Sequence, residues 1–228
     1  MSQHTQLQAA DGHKFDAYIA QPTGEPKAGV VVLQEIFGVN GHIRSVADRF
    51  AQAGYLTIAP ALFDRAERDV ELAYNPEDGK KGMSIAHRIP VDQTLADIAA
   101  SIEYLREHGA RKVGVVGYCW GGWLAWVSNT RLHPDATVSY YPGQISKYIH
   151  EKSTCPAIFH FGLLDQHIPQ TDVEQVRHEY PGFSVFTYEA ADHGFNCDMR
   201  ASYNEPAAKL ARQRTLAHFD EYLVAKPH

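Results

Sequence analysis

Cysteine is scarce in this sequence, and its placement excludes two classes of protein. Only three cysteines occur among 228 residues, at Cys119, Cys155 and Cys197, and no two of them form a CxxC pair. Such an odd, widely spaced set is typical of neither a disulfide framework nor a zinc cage. The histidines show no HxH or HExxH spacing, so we expect no metal site. We also predict no cofactor.

Positive charge and long apolar runs are lacking as well. Lysine and arginine number 21 against 27 acidic residues, and the net charge of -6 disfavours a nucleic-acid surface. No apolar run approaches membrane-spanning length, and residues 1–8 lack the basic-then-apolar layout of a signal peptide. We therefore expect a cytoplasmic protein that binds neither nucleic acid nor a membrane.

What the sequence does contain is an alternation of strand-like and helix-like segments. Its length and its 44% hydrophobic residues are enough for one sizeable core, so we predict a single domain over 1–228. Nearly continuous apolar or β-rich runs predict strands at 15–20, 28–34, 55–59, 112–117, 136–141, 156–161 and 184–189. Helical patterns occupy 42–53, 92–107, 121–130, 170–179 and 205–224.

This order of segments predicts an α/β fold with a mostly parallel, doubly wound sheet and helices on both faces. The first strand, 15–20, is expected at an antiparallel edge. The last helix is expected to follow an N-cap at Asn204, with Pro206 in its first turn. Residues 64–90, rich in charge, glycine and proline, predict an excursion over the sheet that would suit a lid or binding loop.

The pentapeptide 117–121, GYCWG, follows an apolar run and precedes a helical pattern. A reactive residue at such a strand-to-helix turn sits on a sharp elbow, and the flanking glycines let the backbone pass closely. Cys119 would be the nucleophile here, and the amino end of the following helix would favour its thiolate. The alternative is an ordinary tight turn with an inert, buried thiol.

An acid and a histidine follow later strands, at the carboxyl ends where parallel sheets collect reactive groups. Asp165 follows the predicted strand 156–161, and His193 follows 184–189. His193 would take the thiol proton and return it to the leaving group, while Asp165 would hold the imidazole. Asp165 could instead be a turn residue and His193 a loop histidine. Asp192 is the weaker acid candidate because it adjoins the histidine.

Five motifs together resemble the dienelactone hydrolase family, the carboxymethylenebutenolidases, over nearly the whole chain. They are 34–38 (QEIFG), 117–122 (GYCWGG), 140–143 (YYPG), 162–165 (GLLD) and 193–195 (HGF). The resemblance implies an α/β-hydrolase fold, with nucleophile, acid and histidine in that chain order. It also implies a hydrolase that opens enol-lactones such as dienelactone through a covalent acyl-enzyme.

The resemblance assigns further roles at the site. It implies that Glu35 gates the thiol, lying near it at rest and changing partner when substrate arrives. The oxyanion hole is expected from the backbone N–H groups of Ile36 and Trp120. The alternative for Glu35 is a strand-end carboxylate in a salt bridge with a neighbour such as Arg44.

Anchors for a substrate carboxylate follow from the same resemblance. Arg200 is the best match for one such arginine. Arg88 is the candidate for a second, in a segment that also offers Lys80 and Lys81; surface charge is the alternative for all three. Pocket-lining roles are predicted for two aromatic residues, Tyr140 and Phe37, which could equally be core side chains.

The choice of cysteine restricts the substrates. A thiolate leaves a tetrahedral intermediate more readily than an alkoxide or an amine, so attack on a simple ester tends to reverse. An enol-lactone releases a stabilised enolate and goes forward. We expect a small-molecule lactone or ester as substrate, and a monomer or weak homodimer. The alternatives are a carboxylesterase or thioesterase acting on small neutral esters, and a non-catalytic module using Cys119 as a thiol sensor or ligand site.

Overall fold

The computed structural model describes residues 2–224, and the chain divides into two compact units between Val113 and Gly114. The first unit contains strands β1 (Ser2–Gln8), β2 (Lys14–Ala20), β3 (Gly29–Leu33) and β4 (Leu56–Pro60), and helices α1 (Gly41–Gln52), α2 (Pro76–His87) and α3 (Val91–Glu107). The second contains strand β5 (Val113–Tyr118) from its second residue on, strands β6 (Ala136–Tyr140), β7 (Ala157–Gly162) and β8 (Ser184–Tyr188), and helices α4 (Trp120–Arg131), α5 (Gln170–Glu179) and α6 (Glu205–Leu223). Short 3₁₀ turns lie at Leu62–Arg65 and Ile145–Lys147.

In the first unit the strands lie in the order β1, β2, β4, β3. β2 pairs antiparallel with both of its neighbours, whereas β3 and β4 are parallel. β3 and β4 are buried at every residue and contact both α1 and α3. Strands of this kind read as continuous apolar runs, which is why both were recognisable in the sequence.

The prediction that the first strand forms an edge is wrong. Residues 15–20 belong to β2, which is antiparallel as expected but is flanked by β1 on its outer side. β1 has the sequence SQHTQLQ, in which Leu7, opposite Phe15, is the single aliphatic residue. A strand with little apolar surface gives no hydrophobic signal, and its backbone pairing alone places it in the sheet.

In the second unit β5, β6, β7 and β8 lie in that order and all pairs are parallel. Helix α4 contacts β6, α6 contacts β6 and β7, and α5 contacts β8. The seven strands and five helices predicted from the sequence are all present, and the mostly parallel α/β fold class is confirmed. Among the helices of residues 2–224, none combines the length and apolarity needed to cross a bilayer.

Residues 64–90, predicted to be an excursion over the sheet, contain a helix, α2. This helix was hidden by two glycines and many charges, and it buries only Gly82, Ile85 and Ala86. The signal that could have revealed it lies at its amino end. The Asn75 side chain accepts a hydrogen bond from the Asp78 N–H, and proline follows it directly, a combination typical of helix starts.

Helix α6 begins as predicted at Asn204. The Asn204 Oδ1 atom accepts from the Ala207 N–H at 3.1 Å, and Pro206 lies in the first turn. The Nδ2 group of the same side chain donates to the Ala190 carbonyl at 2.7 Å, which ties the helix start to the segment preceding His193.

Asn204→Ala is expected to lower the free energy of unfolding by about 1 kcal/mol, because it removes the capping acceptor. Asn204→Asp is the matched control, since it keeps a capping oxygen and loses only the amide donor; it should cost less. Urea unfolding of the three proteins tests this. Equal stability of wild type and Asn204→Ala would show that the cap contributes nothing.

Candidate active site

Cys119 lies between the last residue of β5 and the first residue of α4. Its backbone has φ 54° and ψ -113°, a conformation that L-residues rarely adopt. The Cys119 N–H donates to the Tyr140 carbonyl at 3.0 Å, and its carbonyl accepts from the Gly122 N–H at 2.9 Å. A non-glycine residue in such a region costs roughly 1–3 kcal/mol and is retained where the surroundings enforce it. The turn therefore has the geometry of a nucleophile elbow.

Gly117 shows why the elbow needs a small residue beside it. A Cβ atom at this position would collide with the Gly121 carbonyl, in the first turn of α4. Any side chain here would push the helix away from the strand end. The glycine on the strand side of the motif thus permits the tight strand-to-helix turn that the sequence predicted.

The structure brings the three predicted catalytic residues together. The His193 Nδ1–H donates to Asp165 Oδ2 at 2.7 Å, and His193 Nε2 lies 3.1 Å from the Cys119 sulfur. Asp165 follows β7 and His193 follows β8, at the carboxyl ends of adjacent strands. Both distances are hydrogen-bonding distances, as expected for a nucleophile, a base and an acid that orients the base.

The orientation of the Asp165 carboxylate is fixed at both oxygens. While Oδ2 accepts from the histidine ring, Oδ1 accepts from the His167 N–H at 2.8 Å. Asp192, the weaker candidate, is exposed, and its Oδ1 accepts from the His193 backbone N–H at 2.6 Å. The acid bonded to the imidazole is therefore Asp165.

The charge state of His193 follows from its burial and from its contacts with Cys119 and Asp165. Burial by itself disfavours the imidazolium, but the Cys119 thiolate and the hydrogen bond to Asp165 outweigh it and raise the pKa of His193 from 6.5 to about 10. At neutral pH the His193 ring is therefore protonated, and its Nε2–H donates to the Cys119 sulfur. A thiolate is the nucleophilic form of cysteine.

The other two cysteines differ from Cys119. Cys155 has its pKa raised to about 12 by burial, so its thiol stays protonated. Cys197 is fully buried. Cys119, by contrast, lies 3.1 Å from Nε2 of His193.

Two rings beside His193 were not predicted from the sequence. The Tyr141 ring lies 5.1 Å from the imidazole and is fully buried, and the exposed His167 ring lies 5.0 Å from it, edge to face. Tyr141 directly follows β6 and has φ 34°. Its place at the carboxyl end of a central strand is the signal that could have identified it.

In the first unit the QEIFG segment follows β3, and its Glu35 is fully buried. The Tyr74 hydroxyl donates to Glu35 Oε2 at 2.9 Å. Arg44, considered above as a partner for Glu35, forms its ion pair with Glu71 at 2.7 Å. Tyr74 had not been anticipated, because it lies in the segment 64–90, where the sequence shows no strand.

The two predicted oxyanion donors belong to different elements. Ile36 is buried in the QEIFG segment, and Trp120 is the first residue of α4. The Trp120 N–H thus belongs to the amino end of a helix, where N–H groups point outward along a positive dipole.

The predicted substrate anchors occupy contrasting places. The Arg200 guanidinium lies against Gly194, with Nη1 2.6 Å from the position that a Cβ would take there, and is therefore next to the His193 backbone. Arg88 caps α2, is half-exposed and lies 3.6 Å from Glu67, which also binds Lys81 at 2.9 Å. Lys80 is exposed. The two ion pairs and the exposure of Lys80 match the surface-charge interpretation of that segment.

The two predicted pocket aromatics are buried. Tyr140 is in the core of the second unit, where its hydroxyl bonds Thr215 Oγ1 at 2.7 Å and its ring lies 4.4 Å from that of His160. Phe37 packs on Tyr74 with ring centroids 4.6 Å apart. Tyr140 thus reaches the elbow through its carbonyl, which accepts from Cys119.

A solved structure with the same architecture defines the fold class. A crystal structure from Klebsiella pneumoniae, whose name assigns it to the dienelactone hydrolases, matches with a TM-score of 0.84 at 32% identity, covering 97% of this chain and 100% of that one. With its mostly parallel sheet and its elbow, the protein has the α/β-hydrolase fold, as the sequence predicted.

The family follows from the sequence matches. Residues 15–223 match the dienelactone hydrolase family. A Synechocystis relative named among the carboxymethylenebutenolidases is 36% identical over 90% of this chain and 91% of its own, and Pseudomonas putida carboxymethylenebutenolidase is 30% identical over 97% of each. The chain belongs to the dienelactone hydrolase family and is a hydrolase.

The raised pKa of His193 predicts a titration far from that of an ordinary histidine. In the wild type the ring should lose its proton only as the pH rises through about 10, as followed by nuclear magnetic resonance of the labelled imidazole. Cys119→Ser is the control, since a neutral hydroxyl removes the thiolate charge, and its transition should move to lower pH. A wild-type transition near 6.5 would contradict the ion pair.

Proposed function

We propose that this protein is a cysteine-dependent hydrolase that opens enol-lactones such as dienelactone through a covalent acyl-enzyme on Cys119. The observation that carries the proposal is the continuous contact from Asp165 through His193 to the Cys119 sulfur, at 2.7 Å and 3.1 Å. The name of the Pseudomonas putida relative, a carboxymethylenebutenolidase, supports the choice of substrate class.

In the first half of the reaction the Cys119 thiolate attacks the lactone carbonyl carbon and a carbon–sulfur bond forms. The carbonyl oxygen becomes an oxyanion, and we assign its stabilisation to the backbone N–H groups of Ile36 and Trp120. The intermediate collapses, the ring carbon–oxygen bond breaks, and the enolate oxygen leaves. The His193 imidazolium supplies the proton that yields the enol, with Asp165 holding the ring in place.

In the second half a water molecule attacks the thioester. Neutral His193 takes the proton from the water, the tetrahedral intermediate expels the Cys119 thiolate, and a carboxylic acid is released. The net reaction adds one water across the lactone bond and restores the thiolate–imidazolium pair. The bonds and protons thus balance among the lactone, the water, Cys119 and His193.

The ability of the enolate to leave explains why an enol-lactone suits this site. A tetrahedral intermediate on sulfur expels the better leaving group, which is the thiolate when the alternative is an alkoxide. An enolate is stabilised by conjugation and competes successfully with sulfur. The protonated His193 then neutralises the enolate, so the intermediate proceeds to the thioester.

Replacing the nucleophile should separate this mechanism from other ester hydrolysis. Cys119→Ser is expected to lose most activity towards an enol-lactone, because a serine hydroxyl does not form an ion pair with His193, and Cys119→Ala should lose all of it. Cys155→Ser is the matched control and should keep full activity. Steady-state rates on cis- and trans-dienelactone test this. Full activity in Cys119→Ala would refute the proposed nucleophile.

Arg200 is proposed to hold the carboxylate that dienelactone carries beside its lactone ring. The position that supports this assignment is that of the guanidinium, which lies against Gly194, next to His193 in the chain. Arg200→Ala should raise the Michaelis constant for an anionic enol-lactone at least tenfold, as loss of one charge-assisted hydrogen bond implies. For a neutral aryl ester it should change little. An unchanged Michaelis constant for the anionic lactone would remove Arg200 from the binding site.

A carboxylesterase or thioesterase acting on small neutral esters is the second candidate. It is favoured by the position of Arg88, which is half-exposed and paired with Glu67, as a surface arginine would be. A higher kcat/KM for neutral aryl esters than for dienelactones, with the same dependence on Cys119, would select this function.

A further inference from the structure

Tyr74 is placed to control Glu35 through its hydroxyl group. The phenol oxygen donates to Glu35 Oε2 at 2.9 Å and accepts from Asn40 Nδ2 at 3.1 Å. Glu35 is fully buried, so the environment of its carboxylate is set by protein groups and not by bulk water. The hydrogen bond from Tyr74 therefore helps to fix the orientation of the Glu35 carboxylate.

Asn40 determines the direction of the two hydrogen bonds that link Asn40, Tyr74 and Glu35. Its Oδ1 atom caps α1 by accepting from the Ile43 N–H at 3.2 Å, which leaves Nδ2 to face the Leu72 carbonyl and the Tyr74 hydroxyl. An amide nitrogen only donates, so the phenol oxygen must act as the acceptor towards Asn40. The single hydroxyl proton of Tyr74 is therefore directed to Glu35.

The segment that carries Tyr74 is fastened to the QEIFG segment at several points. The Leu72 N–H donates to the Phe37 carbonyl at 2.9 Å, and Gly38 pairs with Glu71 in an antiparallel bridge. On the other side of Tyr74, α2 approaches so closely that a Cβ at Gly82 would collide with the Ile36 carbonyl. Residues 71–82 thus brace the segment that holds Glu35 and Ile36.

We infer that Tyr74 is a positioning residue that holds the Glu35 carboxylate in one orientation for its part in the reaction. The inference rests on the proposed function and on the gating of the Cys119 thiol by Glu35 that the family resemblance implies. It assigns to segment 64–90 a role in orienting the Glu35 carboxylate. In this arrangement the helix cap Asn40 acts on Glu35 through Tyr74.

Tyr74→Phe removes the hydroxyl and keeps the ring that packs on Phe37. We expect kcat on an enol-lactone to fall about tenfold, the effect of one hydrogen bond to a charged group, with KM unchanged. Tyr18→Phe is the matched control, since Tyr18 also donates to a carboxylate, Asp48 Oδ1 at 2.8 Å, in the same unit. It should leave kcat unchanged.

Asn40→Asp tests the direction of the hydrogen bond between residue 40 and Tyr74 without removing the helix cap. Aspartate caps a helix as well as asparagine does, but it offers Tyr74 an acceptor in place of a donor. The hydroxyl proton can then turn away from Glu35, so kcat should fall as it does in Tyr74→Phe. Urea unfolding of each variant shows whether the fold is retained.

The Glu35→Gln background decides between positioning and simple packing. If Tyr74 acts through Glu35, Tyr74→Phe lowers kcat in the wild type and has no further effect in Glu35→Gln. An equal fold-loss in both backgrounds, or no loss in either, overturns the inference. The proposed function fails by a separate result, retained activity in Cys119→Ala. An inactive Cys119→Ala together with a fully active Tyr74→Phe overturns only the role of Tyr74.

Discussion

Cys119 occupies a backbone conformation, φ 54° and ψ -113°, that is unfavourable for any residue with a side chain. Its surroundings enforce it: the carbonyl of Tyr140 holds its N–H, and the start of α4 packs so close to the strand end that Gly117 has no room for a Cβ. The strain aims the sulfur out of the turn and towards His193. His193 and Asp165 can act on the thiol only because this turn holds the sulfur in one place.

The pKa of each buried group depends on the groups that contact it. His160 and His218 are buried, and burial lowers the pKa of each, to about 4 for His218. His193 is also buried, but its contacts with Cys119 and Asp165 raise its pKa to about 10. Among the cysteines, burial raises the pKa of Cys155 to about 12. Cys119 differs in its neighbour, since its sulfur lies against the His193 imidazole. A carboxylate at one ring nitrogen and sulfur at the other distinguish His193 from His160 and His218.

The sequence predicted those parts of the fold and site that depend on local patterns. Buried parallel strands appear as apolar runs, and the elbow is a contiguous pentapeptide. Asp165 and His193 come a few residues after β7 and β8, which are adjacent parallel strands. It did not predict β1 or α2, since SQHTQLQ and PEDGKKGMSIAH have little apolar periodicity and depend on tertiary contacts. The contacts of Tyr74 and Tyr141 were missed for the same reason, because they join residues far apart in the chain.

The central claim is that hydrolysis passes through a thioester on Cys119, and rapid quenching of the wild-type enzyme during turnover of an enol-lactone tests it most directly. Peptide mass spectrometry of the quenched protein should find the opened lactone as an acyl group on the peptide that contains Cys119. The adduct should disappear once substrate is exhausted. Steady turnover with no adduct on that peptide, or an adduct on Cys155 or Cys197 in its place, would contradict the account.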